Sequence, residues 1–198
     1  RNPVPRTFTE QAAPAERFAG RSGPLRVLVV GGSLGAKALN DIVPQALALM
    51  PEATRPHVIH QSGAKQIDAL RANYEAAGVQ AELTPFIDDT ATAFAQADLV
   101  ICRAGASTVT ELAAVGVAAL YVPFPFAVDD HQTTNAQFLV ASGGGWLVPQ
   151  AELTAQHLAE RLTALSRDTL QDVAQKAYAQ KKTNATREVV MACEELAA

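Results

Sequence analysis

The stretch over residues 25–40 constrains the fold of this chain more than any other part of it. Apart from Arg26, Leu25 to Val30 consists of valine and leucine, which is typical of a strand buried on both faces. The turn Gly31-Gly32-Ser33-Leu34-Gly35 follows, and apolar residues then recur at helical spacing. This order places backbone N–H groups at the positive end of a helix dipole. The stretch therefore predicts a phosphate or diphosphate site, although glycine and serine also occur in strand-to-helix turns that bind nothing.

Composition and charge narrow the class of protein. The 198 residues are 48% hydrophobic and 18% charged, which is typical of a globular protein with a full core. The net charge of −4, without a basic run, gives no support to nucleic-acid binding. Cys102 and Cys193 lack metal-binding or redox spacing, so a reducing cytoplasm is expected. The start of the chain is polar rather than signal-like, and the longest apolar run, 113–128, is too interrupted to span a membrane.

Hydrophobic periodicity predicts strands that alternate with helices. The predicted strands cover residues 25–30, 57–61, 81–84, 99–102, 118–122 and 145–148, and residues after 154 give only helical signals. Such alternation is typical of an α/β fold, a Rossmann-like parallel six-stranded sheet flanked by helices. Pro44 is expected to break the first long helix near Ile42 and to start a second helical piece.

Composition also suggests three parts along the chain. Residues 1–24 contain four prolines and have the composition of a linker, which suggests a piece of a longer protein. Residues 25–165 form the predicted α/β domain, and residues 166–198 are predicted to be C-terminal helices.

Ligands of parallel α/β sheets bind beyond the C-terminal ends of the strands. Four polar, acidic or glycine-rich segments directly follow predicted strands, at residues 31–35, 86–89, 103–111 and 123–135. Because the C-terminal ends of parallel strands share one edge of the sheet, we expect these four segments to line one binding cleft.

Two of these segments carry side chains that have two interpretations each. Thr108 and Glu111 fit the spacing of a capping box, which satisfies N–H groups at a helix start. Alternatively, Glu111 turns outward and accepts hydrogen bonds from a ribose diol. Gln132 and Asn135 share a helix face and can present two amides to a sugar. They also fit an ordinary polar first turn behind a capping aspartate.

The residues give little support to other classes of site. A dinucleotide-binding dehydrogenase needs Gly-x-Gly-x-x-Gly and an acidic residue ending the second strand, but here that strand ends in His60-Gln61. The Gly-Lys-Ser/Thr of a Walker site does not follow the glycine turn. The adjacent pairs Asp88-Asp89 and Asp129-Asp130 make weak metal sites, and the four histidines show neither ligand nor triad spacing.

Several motifs in one order carry a resemblance to a known family. They are Asn2-Pro3-Val4, the glycine turn, His60-Gln61-Ser62-Gly63, Phe86-Ile87-Asp88-Asp89, the segment from Cys102 to Glu111, Pro123-Phe124-Pro125, and Asp129-Asp130-His131-Gln132. Together they resemble the C-terminal half of the MurG family of peptidoglycan glycosyltransferases. That resemblance implies a two-domain GT-B fold. It also implies transfer of N-acetylglucosamine from UDP-N-acetylglucosamine to undecaprenyl-diphosphoryl-N-acetylmuramoyl-pentapeptide, the step from lipid I to lipid II.

The resemblance also implies which residues bind the donor. Ser33 with its glycine turn would face the diphosphate, Ile87 would meet the uracil through its backbone, and Glu111 would bind the ribose hydroxyls. Gln132 with Asn135 would hold the N-acetylglucosamine. The segment along the diphosphate and ribose would comprise Ala106, Ser107, Thr108, Val109, Thr110 and Glu111. The family usually has arginine directly after Asn-Pro-Val, whereas this chain has Pro5 and then Arg6, so Arg6 would have to supply that contact.

The same resemblance implies what the rest of such an enzyme supplies. The family's N-terminal half carries the acceptor pocket, the candidate general base and a membrane-docking patch, so the catalytic base is expected outside this chain. No metal ion or other cofactor is implied. The expected location is the inner face of the bacterial cell membrane, as a peripheral protein with cell-wall synthesis proteins as possible partners. The alternatives are half of a UDP-N-acetylglucosamine 2-epimerase and a non-catalytic module that binds nucleotide sugars.

Overall fold

The computed structural model describes residues 4–32, 35–125 and 131–181, without the side chains of His131 and Gln132. The described residues form one sheet of strands β1 (Arg26–Val30), β2 (His57–Gln61), β3 (Glu82–Thr84), β4 (Leu99–Cys102), β5 (Ala118–Tyr121) and β6 (Trp146–Leu147). All pairs are parallel, and the strand order is β3-β2-β1-β4-β5-β6. The predicted six-stranded parallel sheet is therefore confirmed.

Helices cover both faces of this sheet. They are α1 (Arg6–Thr9), α2 (Pro14–Phe18), α3 (Lys37–Ala48), α4 (Ile67–Ala77), α5 (Thr90–Gln96), α6 (Ala106–Val115), α7 (His131–Ala141), α8 (Ala155–Ala164) and α9 (167–181). Short 3₁₀ turns lie at Glu52–Thr54, Ala64–Gln66 and Gln150–Glu152. Within the described ranges, no helix has the length and apolar character needed to cross a bilayer.

The central strands are buried on both faces, which explains their continuous apolar sequence. Every residue of β4 and β5 is buried. Alternate β1 residues enter different cores: Val27 packs with α3, α4, α8 and α9, whereas Leu28 packs with α1, α5, α6 and α7. A one-residue slip of a strand would exchange these two sets of contacts, so packing fixes the register.

Pro44 lies inside a continuous helix, so the predicted break near Ile42 is wrong. A proline has no N–H, so in a helix the carbonyl four residues earlier loses its hydrogen-bond donor. That carbonyl belongs to Asn40, and Asn73 Nδ2 of α4 donates to it at 3.0 Å. The side chain of a neighbouring helix thus replaces the missing backbone bond, and Pro44 itself is buried against the core.

A buried polar network joins β2 to the two helices that cover it. His60 is fully buried, and its Nδ1 lies 2.8 Å from Tyr74 Oη while its Nε2 lies 2.9 Å from Asn40 Oδ1. Asn40 Nδ2 in turn donates to Gln66 Oε1 at 2.6 Å. Burial lowers the pKa of His60 to about 3, so the imidazole is neutral at pH 7.

The neutral state of His60 makes stability depend on pH. Its folded-state pKa lies below the ordinary value of 6.5, so the unfolded chain binds more protons between pH 6.5 and about pH 3. Above pH 6.5 the imidazole is neutral in both the folded and the unfolded chain, so His60 does not reduce the free energy of unfolding there. We expect it to decrease by about 2 kcal/mol from pH 7 to pH 5 through this group. Urea unfolding of the chain at the two pH values measures the loss.

Two variants test whether His60 is the group responsible for that loss of stability. His60→Gln should remove most of the decrease, because glutamine does not titrate in this range. His57→Gln should leave the decrease intact, since His57 is exposed on the same strand. A decrease of equal size in both variants would show that His60 is not its source.

The segment before β1 packs onto the domain through helices α1 and α2. Phe8 and Phe18 are buried in the two opposite cores. The Arg17 guanidinium donates to the carbonyls of Val115 and Gly116 at 2.9 and 2.6 Å, at the C-terminal end of α6. A cation at that end compensates the negative pole of the helix dipole.

A buried carboxylate bonds to several segments at the end of the sheet opposite the predicted cleft. Asp98 precedes β4 and is fully buried. Its Oδ1 accepts from Arg21 Nη1 at 3.0 Å, and its Oδ2 accepts from Arg167 Nη2 at 3.0 Å and from the Arg26 N–H at 2.7 Å. Arg167 also donates to the carbonyl of Pro24 at 2.9 Å. We call these residues the Asp98 clamp; it joins α9, the segment before β1 and two strands.

Candidate functional site

The loop after β1 is closely packed against the end of β2. Gly32 and Gly35 have positive φ values of 81° and 77°. A Cβ at Gly35 would lie 2.6 Å from the Ser62 carbonyl oxygen, and one at Gly31 would lie 3.0 Å from the Gln61 carbonyl oxygen. A side chain at Gly35 would clash and be strained, and one at Gly31 would require the adjacent backbone to move, so the loop is shaped by its contact with the end of β2. Ser33 lies outside the described residues.

The N–H groups of Gly31 and Gly32 are already bonded, which corrects one part of the sequence interpretation. Both donate to the side-chain Oε1 of Gln61, each at 3.0 Å. The Gly35 N–H donates to the Gly32 carbonyl at 3.2 Å. The glycines therefore shape the loop but do not offer free donors to a phosphate. The helix that follows begins at Lys37, and no side chain of a described residue caps it.

The loop after β3 carries Ile87 next to this region. Ile87 is half-buried and packs against the core on the α5 face, whereas Phe86 is 56% exposed. Asp89 caps α5, because its carboxylate accepts from the Thr92 N–H at 3.1 Å and from the Thr92 hydroxyl at 2.7 Å. These hydrogen bonds lower the pKa of Asp89. Among the described residues, no group of three or more His, Cys, Asp or Glu side chains could hold a metal ion.

The N-terminus of α6 is open, and the capping-box interpretation is wrong. The helix begins at Ala106 with Gly105 as its N-cap, and no side chain caps it within the described part of the chain. Glu111 lies in the second turn, beyond the N3 position that a capping box requires. Its Oε1 accepts instead from the Ser107 hydroxyl at 2.7 Å.

The other predicted residues of α6 take different orientations. Ala106 and Ser107 are exposed, and Thr108 is half-buried. Val109 points into the core, where it is 4% exposed, so only its backbone can face a ligand. The Thr110 hydroxyl donates to the Ala106 carbonyl at 2.9 Å.

The remaining predicted residues lie on α7 and α1. Asn135 is half-buried, and its Nδ2 lies 3.4 Å from the Ala104 carbonyl oxygen, one residue before the N-cap of α6. Gln132 is in the first turn of α7, but its side chain is outside the described residues, as are Asp129 and Asp130. Arg6 is the exposed first residue of α1.

Sequence reasoning missed Arg103, which joins two loops of this edge. It directly follows β4, and its Nη1 donates to the Val122 carbonyl at 3.2 Å and lies 3.4 Å from the Pro123 carbonyl oxygen. The guanidinium also lies over the Phe124 ring, 5.5 Å from its centroid. Burial lowers the pKa of Arg103. A cation directly after a buried strand is the signal that could have identified it.

The loops after β4 and β5 and the N-terminus of α6 thus lie at the C-terminal edge of the sheet. A cavity of about 550 Å³ lies elsewhere, beside the first halves of β1 and β2, where Pro24, Arg26 and His57 line it. Parallel α/β sheets bind ligands beyond the C-terminal strand ends. The candidate site is therefore the edge formed by the loops after β1, β3, β4 and β5.

Comparison with known proteins identifies relatives of this fold. The family model for the glycosyltransferase family 28 C-terminal domain matches residues 26–191. A protein of Paracidovorax citrulli is 69% identical over 100% of this chain and 56% of its own length. One of Verminephrobacter eiseniae is 67% identical over 100% of this chain and 55% of its own length. Both are named UDP-N-acetylglucosamine--N-acetylmuramyl-(pentapeptide) pyrophosphoryl-undecaprenol N-acetylglucosamine transferase.

A solved structure agrees with the sequence relatives. The crystal structure of MurG from Acinetobacter baumannii matches with a TM-score of 0.83 at 41% identity, over 95% of this chain and 55% of that chain. The chain thus spans about half the length of the relatives it matches. The predicted fold, that of the C-terminal domain of a GT-B glycosyltransferase, is confirmed. Because the family model covers most of its length, the chain belongs to the glycosyltransferase family 28 C-terminal domain family.

Proposed function

We propose that this chain is the donor-binding half of an inverting N-acetylglucosaminyltransferase. The donor is UDP-N-acetylglucosamine, and the acceptor is undecaprenyl-diphosphoryl-N-acetylmuramoyl-pentapeptide. The observation that carries this proposal is the 69% identity, over the whole chain, to a transferase of that name. The open N-terminus of α6, at the edge where parallel sheets bind ligands, supports it.

The chemistry is direct displacement at the anomeric carbon by the C4 hydroxyl of the acceptor, with UDP as the leaving group. Negative charge develops on the diphosphate as that bond breaks. The N–H groups in the first turn of α6, at the positive end of its dipole, stabilise this charge. The general base and the acceptor pocket belong to the other half of the enzyme, so the chain alone binds the donor without transferring the sugar.

The individual contacts of this proposal are those that the resemblance implies, with one change at the loop after β1. The diphosphate binds at the α6 N-terminus, along Ala106–Thr110, and at Ser33, rather than at the bonded N–H groups of Gly31 and Gly32. The backbone of Ile87 binds the uracil, and Glu111 binds the ribose. Gln132 and Asn135 bind the N-acetylglucosamine, and Arg6 replaces the family arginine.

The location and organisation follow from the same proposal. Residues 25–165 form the nucleotide-sugar-binding domain, with the segment 1–24 before it and the segment 166–198 after it. Of that last segment, α9 covers 167–181, and residues 182–198 lie outside the described part of the chain. The other half of the enzyme docks on the inner face of the cell membrane and brings the lipid-linked acceptor. Cell-wall synthesis proteins are the expected protein partners.

Ligand-dependent thermal stability tests the proposal. A ligand that binds only the folded state stabilises it by about 2.7 kcal/mol at a concentration 100 times its Kd. We expect UDP-N-acetylglucosamine and UDP to raise Tm, UDP-glucose to raise it less, and NAD to leave it unchanged. A rise with NAD, or none with either uridine ligand, would contradict the proposal. With the complete enzyme and a lipid-linked acceptor, NMR of the products separates transfer from epimerisation and from binding alone.

Replacement of Glu111 tests the ribose contact. Loss of hydrogen bonds to a charged acceptor costs about 1.5–3 kcal/mol, so Glu111→Ala should raise the Kd for UDP by about 10-fold to 100-fold. Tm should change little, because, among the described residues, the only bond the structure shows for this carboxylate is to Ser107, one helical turn earlier on the same helix. Calorimetry with Glu82→Ala, an exposed glutamate of β3, is the matched control. An unchanged Kd in Glu111→Ala would exclude the ribose role.

A further inference from the structure

The Gln61 side chain connects two loops of the candidate site. It is 5% exposed at the end of β2, the strand that lies between β1 and β3. Its Oε1 accepts from the N–H groups of Gly31 and Gly32, and its Nε2 donates to the carbonyls of Gly32 and Pro85, all four at 3.0 Å. An amide has two acceptor positions and two donors, so this side chain has no capacity left for a ligand.

The two carbonyls that accept from Gln61 each accept a second hydrogen bond from the backbone. The Gly32 carbonyl also accepts from the Gly35 N–H, and the Pro85 carbonyl also accepts from the Gly63 N–H, each at 3.2 Å. A flipped amide would set donors against the two glycine N–H groups, so only one orientation is compatible with these four partners. The amide therefore holds the loop after β1 and the loop after β3 at a fixed separation.

We propose that Gln61 is a positioning residue that sets the distance between the loop after β1 and the loop after β3, so that one nucleoside diphosphate spans both. This inference rests on the proposed function, in which the diphosphate lies near the first loop and the uracil lies on the second. A preformed separation reduces the ordering cost of binding. That benefit applies only to a ligand that bridges the loops.

Gln61→Met tests this role because methionine has a similar shape and makes none of the four bonds. NMR titration of the full chain compares UDP with two ligands that each fit one loop, inorganic pyrophosphate and uridine. We expect the Kd for UDP to rise at least 10-fold, and the Kd for pyrophosphate and for uridine to change less than threefold. An unchanged Kd for UDP, or the same loss for all three ligands, would overturn the proposal.

Two matched variants separate positioning from general destabilisation. Gln45→Met makes the same replacement at an exposed position of α3 and should leave all three Kd values unchanged. Leu158→Ala removes buried contacts of α8, far along the chain from the loops. It should lower Tm as much as Gln61→Met or more, and leave the Kd for UDP within threefold. A rise in the Leu158→Ala Kd for UDP equal to that of Gln61→Met would overturn the positioning role.

Amide hydrogen exchange tests the connection without any nucleotide. Gln61→Met should speed exchange at Gly32 and in residues 86–88 together, whereas the Gly31 N–H keeps its bond to the Gln61 backbone carbonyl at 3.1 Å. Gln61→Glu keeps the two acceptor bonds but loses both donors, so it should speed exchange in 86–88 and leave Gly32 protected. Unchanged exchange in 86–88 in both variants would overturn the connection. If the unmodified chain binds no UDP, the proposed function fails, whereas the exchange pattern still decides whether Gln61 joins the loops.

Discussion

Replacing Asp98 with alanine should lower the free energy of unfolding by about 3–5 kcal/mol, because it leaves two arginines of the Asp98 clamp without their buried counter-ion. The side chains of Arg21 and Arg167 are only 9% and 17% exposed, so water replaces little of the lost interaction. The Arg26 N–H also loses its acceptor. Urea unfolding at pH 7 measures the change.

The control for this prediction is an aspartate with an exposed ion pair. Asp68 is 97% exposed and lies 3.7 Å from Arg71. Asp68→Ala should change stability by less than about 0.5 kcal/mol, as is usual for pairs in water. A loss below about 1 kcal/mol in Asp98→Ala would mean that the clamp does not stabilise the attachment of α9 and of the segment before β1.

Gly35→Ala should lower the free energy of unfolding by about 2–4 kcal/mol, since it combines backbone strain with overpacking. The residue has a φ of +77°, and a Cβ there would lie 2.6 Å from the Ser62 carbonyl oxygen. The loop after β1 must therefore shift, and the Kd for UDP should rise in the same variant. Unfolding experiments and calorimetry measure the two effects.

Gly78→Ala separates the two causes. Gly78 ends α4 with a φ of +68°, but a Cβ there would meet nothing within 4 Å. This variant should lose only about 1 kcal/mol, the cost of the left-handed backbone alone. If Gly35→Ala and Gly78→Ala lost the same free energy of unfolding, the close packing of the loop on β2 would contribute nothing to the loss in Gly35→Ala.

Local sequence signals predicted most of the fold correctly. The sequence predicts short strands at 57–61 and 99–102, and the strands have those bounds. Gly78 and Gly116 end α4 and α6 with positive φ, as expected of glycine after a helix. These features depend on neighbours within one turn or strand, so a pattern in the sequence is sufficient to find them.

The wrong predictions depend on residues that are distant in sequence. Pro44 stays in its helix because Asn73, about 30 residues later, supplies a donor. The N–H groups of Gly31 and Gly32 are bonded because Gln61, 30 and 29 residues later, reaches them. No local pattern contains these partners, and a polar residue that ends a buried strand is the only signal that points to Gln61.

A crystal structure of the chain with UDP-N-acetylglucosamine tests the central claim most directly, namely that the C-terminal edge of the sheet is a nucleotide-sugar site. We predict diphosphate oxygens about 3 Å from N–H groups in the first turn of α6, with the Glu111 carboxylate on the ribose. Density for the nucleotide in the cavity beside Pro24, Arg26 and His57, at the opposite end of the strands, would contradict the account.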